Sequence, residues 1–227
     1  MLIQLFLKVL QKYYDTENVA IGLELDLPGN EDAREALIRY SIDSAEDGIS
    51  LLAREIATDT IVGSVTNKIQ VKPNSPDEKT FSEIFKEKYC KNEKSQLYVQ
   101  SIIDAANKYD VFTTYKTDCY VELMFLSTLP QYRQKSIASS LCLYTVKIAD
   151  ALKYGIGLDK LPENLRKYRP TCVVAMFASN YSSAIGRKLG FDFIDENSYE
   201  DAYFNGKKMS DRIGKLHKSW FMAVKKL

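Results

Sequence analysis

The clearest pattern in the chain is an apolar run followed by a long amphipathic segment. Val121, Leu123 and Phe125 lie in the run VELMFLSTL, which is typical of a buried strand. Pro130 prevents a helix from extending back into this run. Beyond the proline, apolar residues recur at helical spacing, at Ile137, Leu141, Tyr144, Ile148 and Leu152. The pattern predicts a strand, a short turn and a long helix.

Periodicity and turn residues predict further elements on both sides of this unit. The predicted helices are Leu2–Tyr14, one that begins at Asn30 and passes Tyr40, two pieces within Phe81–Tyr109 that part near Asn92, and Ser179–Leu189. The predicted strands are Ile49–Glu55, Thr60–Lys68, Thr171–Phe177, one from Phe191, and His217–Lys225, with Val111–Tyr115 leading into the central strand. Val71–Asp77 is predicted to be a loop. Strands that alternate with helices after residue 119 indicate a mixed α/β sheet.

Composition narrows the class of protein. A length of 227 residues fits one domain, and a net charge of +1 gives no overall attraction to nucleic acid or membranes. The four cysteines lack metal-ligand spacing and there is one histidine, so we expect reduced thiols, no metal and a cytoplasmic setting. The apolar start is brief and interrupted by Gln4 and Lys8, which favours a core-facing helix over a signal peptide.

The turn before the long helix has the chemistry of an anion site. The first N–H groups of a helix lack internal partners and carry partial positive charge, and Arg133 and Lys135 add full charges there. The alternative is an ordinary strand-to-helix crossover with two solvated cations.

The sequence of this turn, Arg133-Gln134-Lys135-Ser136-Ile137-Ala138, resembles the Arg/Gln-x-x-Gly-x-Gly/Ala motif of the GNAT acetyltransferase superfamily. Residues 179–191, which end in Lys-Leu-Gly-Phe, resemble the second GNAT signature. Tyr13–Asn18 and the helical insertion at 81–109 are similar to the insect arylalkylamine N-acetyltransferases. The resemblance implies one GNAT domain over residues 1–227, with a mixed central sheet flanked by helices.

The resemblance also implies acetyl-CoA as cosubstrate. Its expected binding residues are Phe125, Leu126 and Ser127 on the central strand and Arg133, Gln134, Lys135, Ser136, Ile137, Ala138 and Ser139 at the turn. Ser136 stands where the family usually has glycine. Its side chain either crowds the phosphates or donates a hydrogen bond to them.

Two catalytic residues follow from the same resemblance. Glu17 matches the glutamate that serves as the base, and the alternative for it is a solvated side chain in a helix-end loop. Ser182 matches the serine near the acetyl-CoA sulfur, and the alternative is a helix-start hydroxyl bonded to nearby backbone. Gly186 occupies the position where many GNAT members have a tyrosine acid. With no Cys-His or Ser-His pairing, we expect direct transfer in a ternary complex.

The acceptor implied is a small primary amine, such as dopamine, serotonin, tyramine or a related amine. Tyr13 and Tyr14 are the expected substrate-binding residues, although scattered tyrosines are more often core residues. We expect a monomer or weak dimer. The alternative function is a GNAT-fold protein that binds acyl-CoA or a partner without catalysis. Ser136, Asn18 in place of the family's proline, and the absence of a strand before the first predicted helix favour that alternative.

Overall fold

The structure is a computed structural model that describes residues 2–75 and 77–227, with the side chains of residues 2–5 and 8 left aside. The helices are α1 (Leu2–Tyr14), α2 (Asn18–Gly22), α3 (Glu31–Ser44), α4 (Phe81–Tyr89), α5 (Glu93–Lys108), α6 (Val111–Tyr115), α7 (Ile137–Lys153), α8 (Asn180–Lys188) and α9 (Met209–Ile213). The strands are β1 (Leu51–Glu55), β2 (Thr60–Val71), β3 (Cys119–Thr128), β4 (Cys172–Phe177), β5 (Asp192–Ser198), β6 (Tyr203–Phe204), β7 (Lys207–Lys208) and β8 (Ser219–Lys226).

Six strands form a mixed sheet in the order β1-β2-β3-β4-β8-β5. The central pair β3–β4 is parallel, and the other neighbours are antiparallel. The predicted α/β fold class is therefore confirmed. The prediction for Val111–Tyr115 was wrong, because Asp110 caps this segment with a side-chain bond to Thr113 N–H and makes it a helix. The short elements α2, β6, β7 and α9 were not predicted, and part of the predicted loop, Pro76, lies outside the described residues.

Helices cover both faces of the sheet and bury separate apolar clusters. On one face, α7 packs Leu141, Cys142 and Leu152 against β2 and β3. On the other face, helices α1 to α5 bury large side chains, of which the fully buried ones include Tyr14, Tyr40, Phe85 and Phe125. Each such side chain contributes about 1.5–3 kcal/mol to folding. The four cysteines are buried and free, as expected of reduced thiols.

An irregularity in β3 shapes the middle of the sheet. The β2–β3 pairing passes from Asn67–Leu123 to Thr66–Phe125, so Met124 is an extra residue on β3. Such a bulge bends the strand that contains it. The parallel pairing of β3 with β4 runs from Val121–Val173 to Leu123–Ala175. Among the described residues, β3 and β4 separate at the bulge, which leaves a gap between the second half of β3 and the end of β4.

Among residues 2–75 and 77–227, no helix combines the length and apolar character needed to cross a membrane.

Candidate active site

A small cavity of about 30 Å³ lies where β3 and β4 part. Its lining includes Tyr13, Glu17, Tyr98, Glu122, Met124 and Ala178. These residues come from α1, the α1–α2 junction, α5, β3 and the end of β4, so distant parts of the sequence meet here. The cavity has room for about one or two water-sized groups.

Glu17 is placed in this cavity by the start of α2. It is the N-cap residue, and its carboxylate accepts hydrogen bonds from the backbone N–H groups of Val19 at 3.0 Å and Ala20 at 2.8 Å. Each carboxylate oxygen has two lone pairs, so capacity remains for a further donor in the cavity. Glu17 is 9% exposed, which rules out the solvated side chain considered as its alternative.

Burial sets the protonation of Glu17. It raises the pKa of this carboxyl to about 7, although hydrogen bonds from Val19, Ala20 and Tyr98 lower it in part. The neighbouring Asp15 behaves differently. Although partial burial opposes ionisation, hydrogen bonds from Lys12 and Arg34 leave the pKa of Asp15 below its usual value. The two carboxyls are only two residues apart, yet their pKa values are shifted in opposite directions. Glu17 is the one suited to accept a proton near neutral pH.

Two tyrosines form the wall beside Glu17. The hydroxyl oxygens of Tyr13 and Tyr98 are 3.3 Å apart, within hydrogen-bond reach. Burial, together with the negative charge of Glu17, raises the pKa of both phenols well above its usual value. Both therefore keep their protons at neutral pH and can act as hydrogen-bond donors.

The turn between β3 and α7 is a second feature of the site. Gln134 and Ser136 both have left-handed backbone, with φ of 62° and 58°. Ser136 is the N-cap residue of α7, and its side chain makes no capping bond. Within the described residues, the backbone N–H groups of 134–139 donate to no backbone carbonyl, and the first internal bond is from Ser140 to Ser136 at 2.9 Å. Unpaired N–H groups in alternating backbone conformations form a concave anion site.

Two charged side chains of the same turn, Arg133 and Lys135, add positive charge beside these N–H groups. Arg133 is exposed and reaches Thr16 Oγ1 at 3.3 Å, which links the turn to the segment that bears Glu17. Lys135 lies over the ring of Tyr132, and the Tyr132 hydroxyl donates to Glu55 at 2.8 Å. The residues therefore fit a phosphate group, because donors and positive charge converge on one exposed turn.

Solved structures share this architecture. Arylalkylamine N-acetyltransferase 2 from Aedes aegypti matches with a TM-score of 0.74 at 16% identity, over 100% of this chain and 95% of that one. The chain has the GNAT fold. An agmatine N-acetyltransferase matches with a TM-score of 0.72 at 17% identity over 99% and 94% of the two chains. The mosquito arylalkylamine N-acetyltransferase like 5b matches with a TM-score of 0.65 at 19% identity, over 84% of this chain and 80% of that one. No protein-family model and no curated protein matches the sequence.

Within this GNAT fold, the hydroxyl of Ser182 is engaged locally. Ser182 donates to the carbonyl of Ser179 at 3.1 Å and accepts from the Ser179 N–H at 3.2 Å, in a reciprocal capping box at the start of α8. Ser182 is half-buried and is not among the residues that line the cavity. This geometry matches the alternative considered for it, a helix-start hydroxyl bonded to nearby backbone.

Gly186 has a packing reason in this fold. A Cβ atom at this position would lie 2.3 Å from Cε2 of Phe177, the last residue of β4. Real Cβ atoms do not approach other heavy atoms so closely. Gly186 therefore permits α8 to pack on β4, and the space that a tyrosine would need is filled by the Phe177 ring.

Asn18, at the position where the resemblance leads one to expect a proline, makes a hydrogen bond next to the cavity. Its amide donates to the carbonyl of Ala178 at 2.6 Å, and the hydroxyl of Tyr199 donates to the same carbonyl at 2.8 Å. Both bonds join distant segments to the end of β4, beside Glu17. The asparagine therefore has a structural role that a proline, with no side-chain donor, cannot supply.

The predicted residues occupy different places around the gap. Tyr13, Glu17 and Phe125 line the cavity, whereas Tyr14 is fully buried and donates to the Leu37 carbonyl at 2.7 Å. On β3, Leu126 is half-buried and Ser127 is buried. The Ser127 hydroxyl donates to the Val9 carbonyl at 3.4 Å. At the turn, Ile137, Ala138 and Ser139 are half-buried in the first turn of α7.

Sequence reasoning missed two ionisable cavity residues, Tyr98 and Glu122. Tyr98 lies on the buried face of α5 together with Val99 and Ile102, a helical pattern that identifies the face but not the site. Glu122 carried a clearer signal, because it is a charged residue inside an otherwise apolar predicted strand.

Proposed function

We propose that the chain is an acetyl-CoA-dependent N-acetyltransferase that acts on a small primary amine by direct transfer in a ternary complex. The observation that carries the proposal is Glu17, a buried carboxyl with a pKa of about 7 that lines the cavity at the gap between β3 and β4. A base with this pKa is half ionised near neutral pH and can take a proton from an amine.

The reaction needs two contributions from the protein, a base and donors that position the reacting groups. The amine nitrogen attacks the thioester carbonyl, the new C–N bond forms, and the C–S bond breaks to give a thiolate. Glu17 accepts the proton that the nitrogen loses, directly or through one water in the cavity. Tyr13 and Tyr98, both protonated, are donors in the same cavity and can orient the incoming nitrogen or that water.

The turn before α7 would hold the pyrophosphate of the cosubstrate. The N–H groups of 134–139 supply donors, and Arg133 and Lys135 supply charge. The pantetheine arm would lie along the second half of β3, at Phe125, Leu126 and Ser127, where β4 has moved away. The thioester would then arrive beside Met124 and Glu17.

A second candidate function is binding of acyl-CoA without turnover. Two observations favour it: the hydroxyl of Ser182 is engaged in the capping box, and Gly186 leaves no room for a tyrosine acid. The leaving thiolate would then lack a proton donor from α8, and transfer would be slow.

Free-thiol release from acetyl-CoA, measured with tyramine, dopamine, serotonin, putrescine and agmatine, separates the two functions. We expect release that depends on the amine, with the acetylated amine detected by mass spectrometry. Binding of CoA, seen as a raised Tm, with no thiol release from any amine would favour the binding protein. Absence of both would reject the two functions together.

A further inference from the structure

Glu122 is a carboxylate in the cavity that the proposed reaction does not use. It lies in the middle of β3, is half-buried, and lines the same cavity as Glu17. The amide of Gln70 donates to its Oε2 at 2.6 Å. Glu122 therefore has one fixed oxygen, while the rest of its hydrogen-bonding capacity is open toward the cavity.

The cation that would ordinarily neutralise Glu122 is directed elsewhere. Lys68 is its direct cross-strand neighbour in the β2–β3 pairing, a position where opposite charges usually pair. Lys68 instead binds the buried carboxylate of Asp47 at 2.5 Å and lies over the ring of Phe81. Among the described residues, Glu122 takes part in no salt bridge. Burial raises the pKa of Glu122, and a cationic ligand would stabilise its charged form.

From these contacts we propose that Glu122, held by Gln70, binds a second cationic group of the acceptor, so that the preferred acceptor is an alkyl diamine or an aminoalkylguanidine. This inference rests on the proposed acetyl transfer and names its substrate class. The reacting nitrogen would meet Glu17 near Met124. Glu122 precedes Met124 by two residues on β3, a distance of about 7 Å at roughly 3.3 Å per residue, which a short alkyl chain bridges.

The dimensions of the cavity support a cationic head group. Its volume of about 30 Å³ has room for a small group such as an ammonium. Met124 and Met176 in its wall are flexible side chains that can move to admit an alkyl chain.

The test compares acceptors that differ by one charge. Putrescine and butylamine have the same alkyl chain, and butylamine lacks the second amino group. We expect the unaltered protein to acetylate putrescine with a kcat/KM at least about tenfold above that for butylamine, as expected for a shielded charge pair. Glu122→Gln should remove this preference through a raised KM for putrescine. The value for butylamine should stay within about twofold.

Glu196→Gln on β5, an exposed strand position outside the cavity, is the matched control and should keep the preference. Equal kcat/KM for putrescine and butylamine in the unaltered protein would overturn the inference and leave the proposed function standing. Equal losses for both amines in Glu122→Gln would also overturn it, because Glu122 would then serve the transfer step. No turnover of any amine would reject the proposed function and this inference with it. Equal values in the unaltered protein would overturn the inference even if Glu122→Gln does not fold, and a preference that persists in Glu122→Gln would overturn it as well.

Discussion

The turn at 133–139 and the cavity around Glu17 lie at two ends of one gap in the sheet, and different forces hold them. The turn presents exposed backbone N–H groups with full charges beside them, all within seven consecutive residues. The cavity brings together Glu17, Tyr98 and Glu122 from distant parts of the chain and shields them from water. One end is local and exposed, and the other is non-local and buried.

This difference determines how each end responds to its surroundings. Charges at the exposed turn are screened by salt, and binding there should weaken as ionic strength rises. Groups in the cavity are shielded from salt, but burial shifts their pKa values, so the cavity should respond to pH. Separate perturbations of the two ends should therefore have separable effects on CoA binding and on transfer.

The largest effect should come from the base. Glu17→Gln keeps the shape of the side chain but cannot accept a proton, so kcat should fall by roughly a hundredfold or more. In the unaltered protein, kcat/KM should rise with pH through about 7, where Glu17 ionises, and this limb should be lost in the variant. Because the amine also ionises, the comparison between the two proteins carries the assignment.

Asp15→Asn is the control for this change, because Asp15 is paired with Lys12 and Arg34 rather than directed into the cavity. It should retain most of kcat and the same pH limb. Calorimetric titration with CoA should give nearly equal affinities in all three proteins. Full activity of Glu17→Gln would exclude Glu17 as the base.

Glu17 should also make the folded state sensitive to pH. Its pKa is raised on folding from 4.5 to about 7, so the folded protein binds a proton that the unfolded chain has released across this window. This contribution to stability is fully present below pH 4.5 and is lost as the pH rises toward 7, with a total of about 3 kcal/mol. Urea unfolding at intervals of pH should show a decline in the unaltered protein that is absent in Glu17→Gln. Parallel profiles would place the Glu17 carboxyl in water.

At the exposed end, Arg133→Ala combined with Lys135→Ala should weaken CoA binding by about tenfold or more, because charge-assisted hydrogen bonds are each worth about 1.5–3 kcal/mol. The CoA-induced rise in Tm should shrink accordingly. The pair Lys147→Ala and Lys188→Ala removes the same charge from exposed helical positions and should leave the rise unchanged. The remaining CoA affinity should also depend less on salt. Equal rises in the unaltered protein and the Arg133/Lys135 variant would remove this turn from the binding site.

The two ends also differ in how far the sequence reveals them. The strand, turn and long helix were predictable because a local period and Pro130 specify them, and the GNAT fold was expected from the resemblance of the turn and of residues 179–191 to GNAT motifs. Of the cavity, the resemblance indicated Tyr13 and Glu17. Tyr98 was missed because it reaches Glu17 only through the packing of α5. The role of Asn18 was also hidden, since its partner Ala178 is 160 residues away. Local signals predict elements, whereas tertiary contacts determine which side chains meet.

The smallest effect concerns Ser136, where the backbone at φ 58° favours glycine. Ser136→Gly relieves the left-handed strain but makes the unfolded chain more flexible, so stability should rise by at most about 1 kcal/mol. Ser140→Gly, the same change inside α7, should instead lower stability by about 0.5 kcal/mol. Because the Ser136 hydroxyl makes no capping bond, it is available to phosphate, and its loss should weaken CoA binding about fivefold, the value of one hydrogen bond near 1 kcal/mol. Titration calorimetry decides: tighter binding in Ser136→Gly would mean that the serine crowds the phosphates, and unchanged binding would place Ser136 away from them.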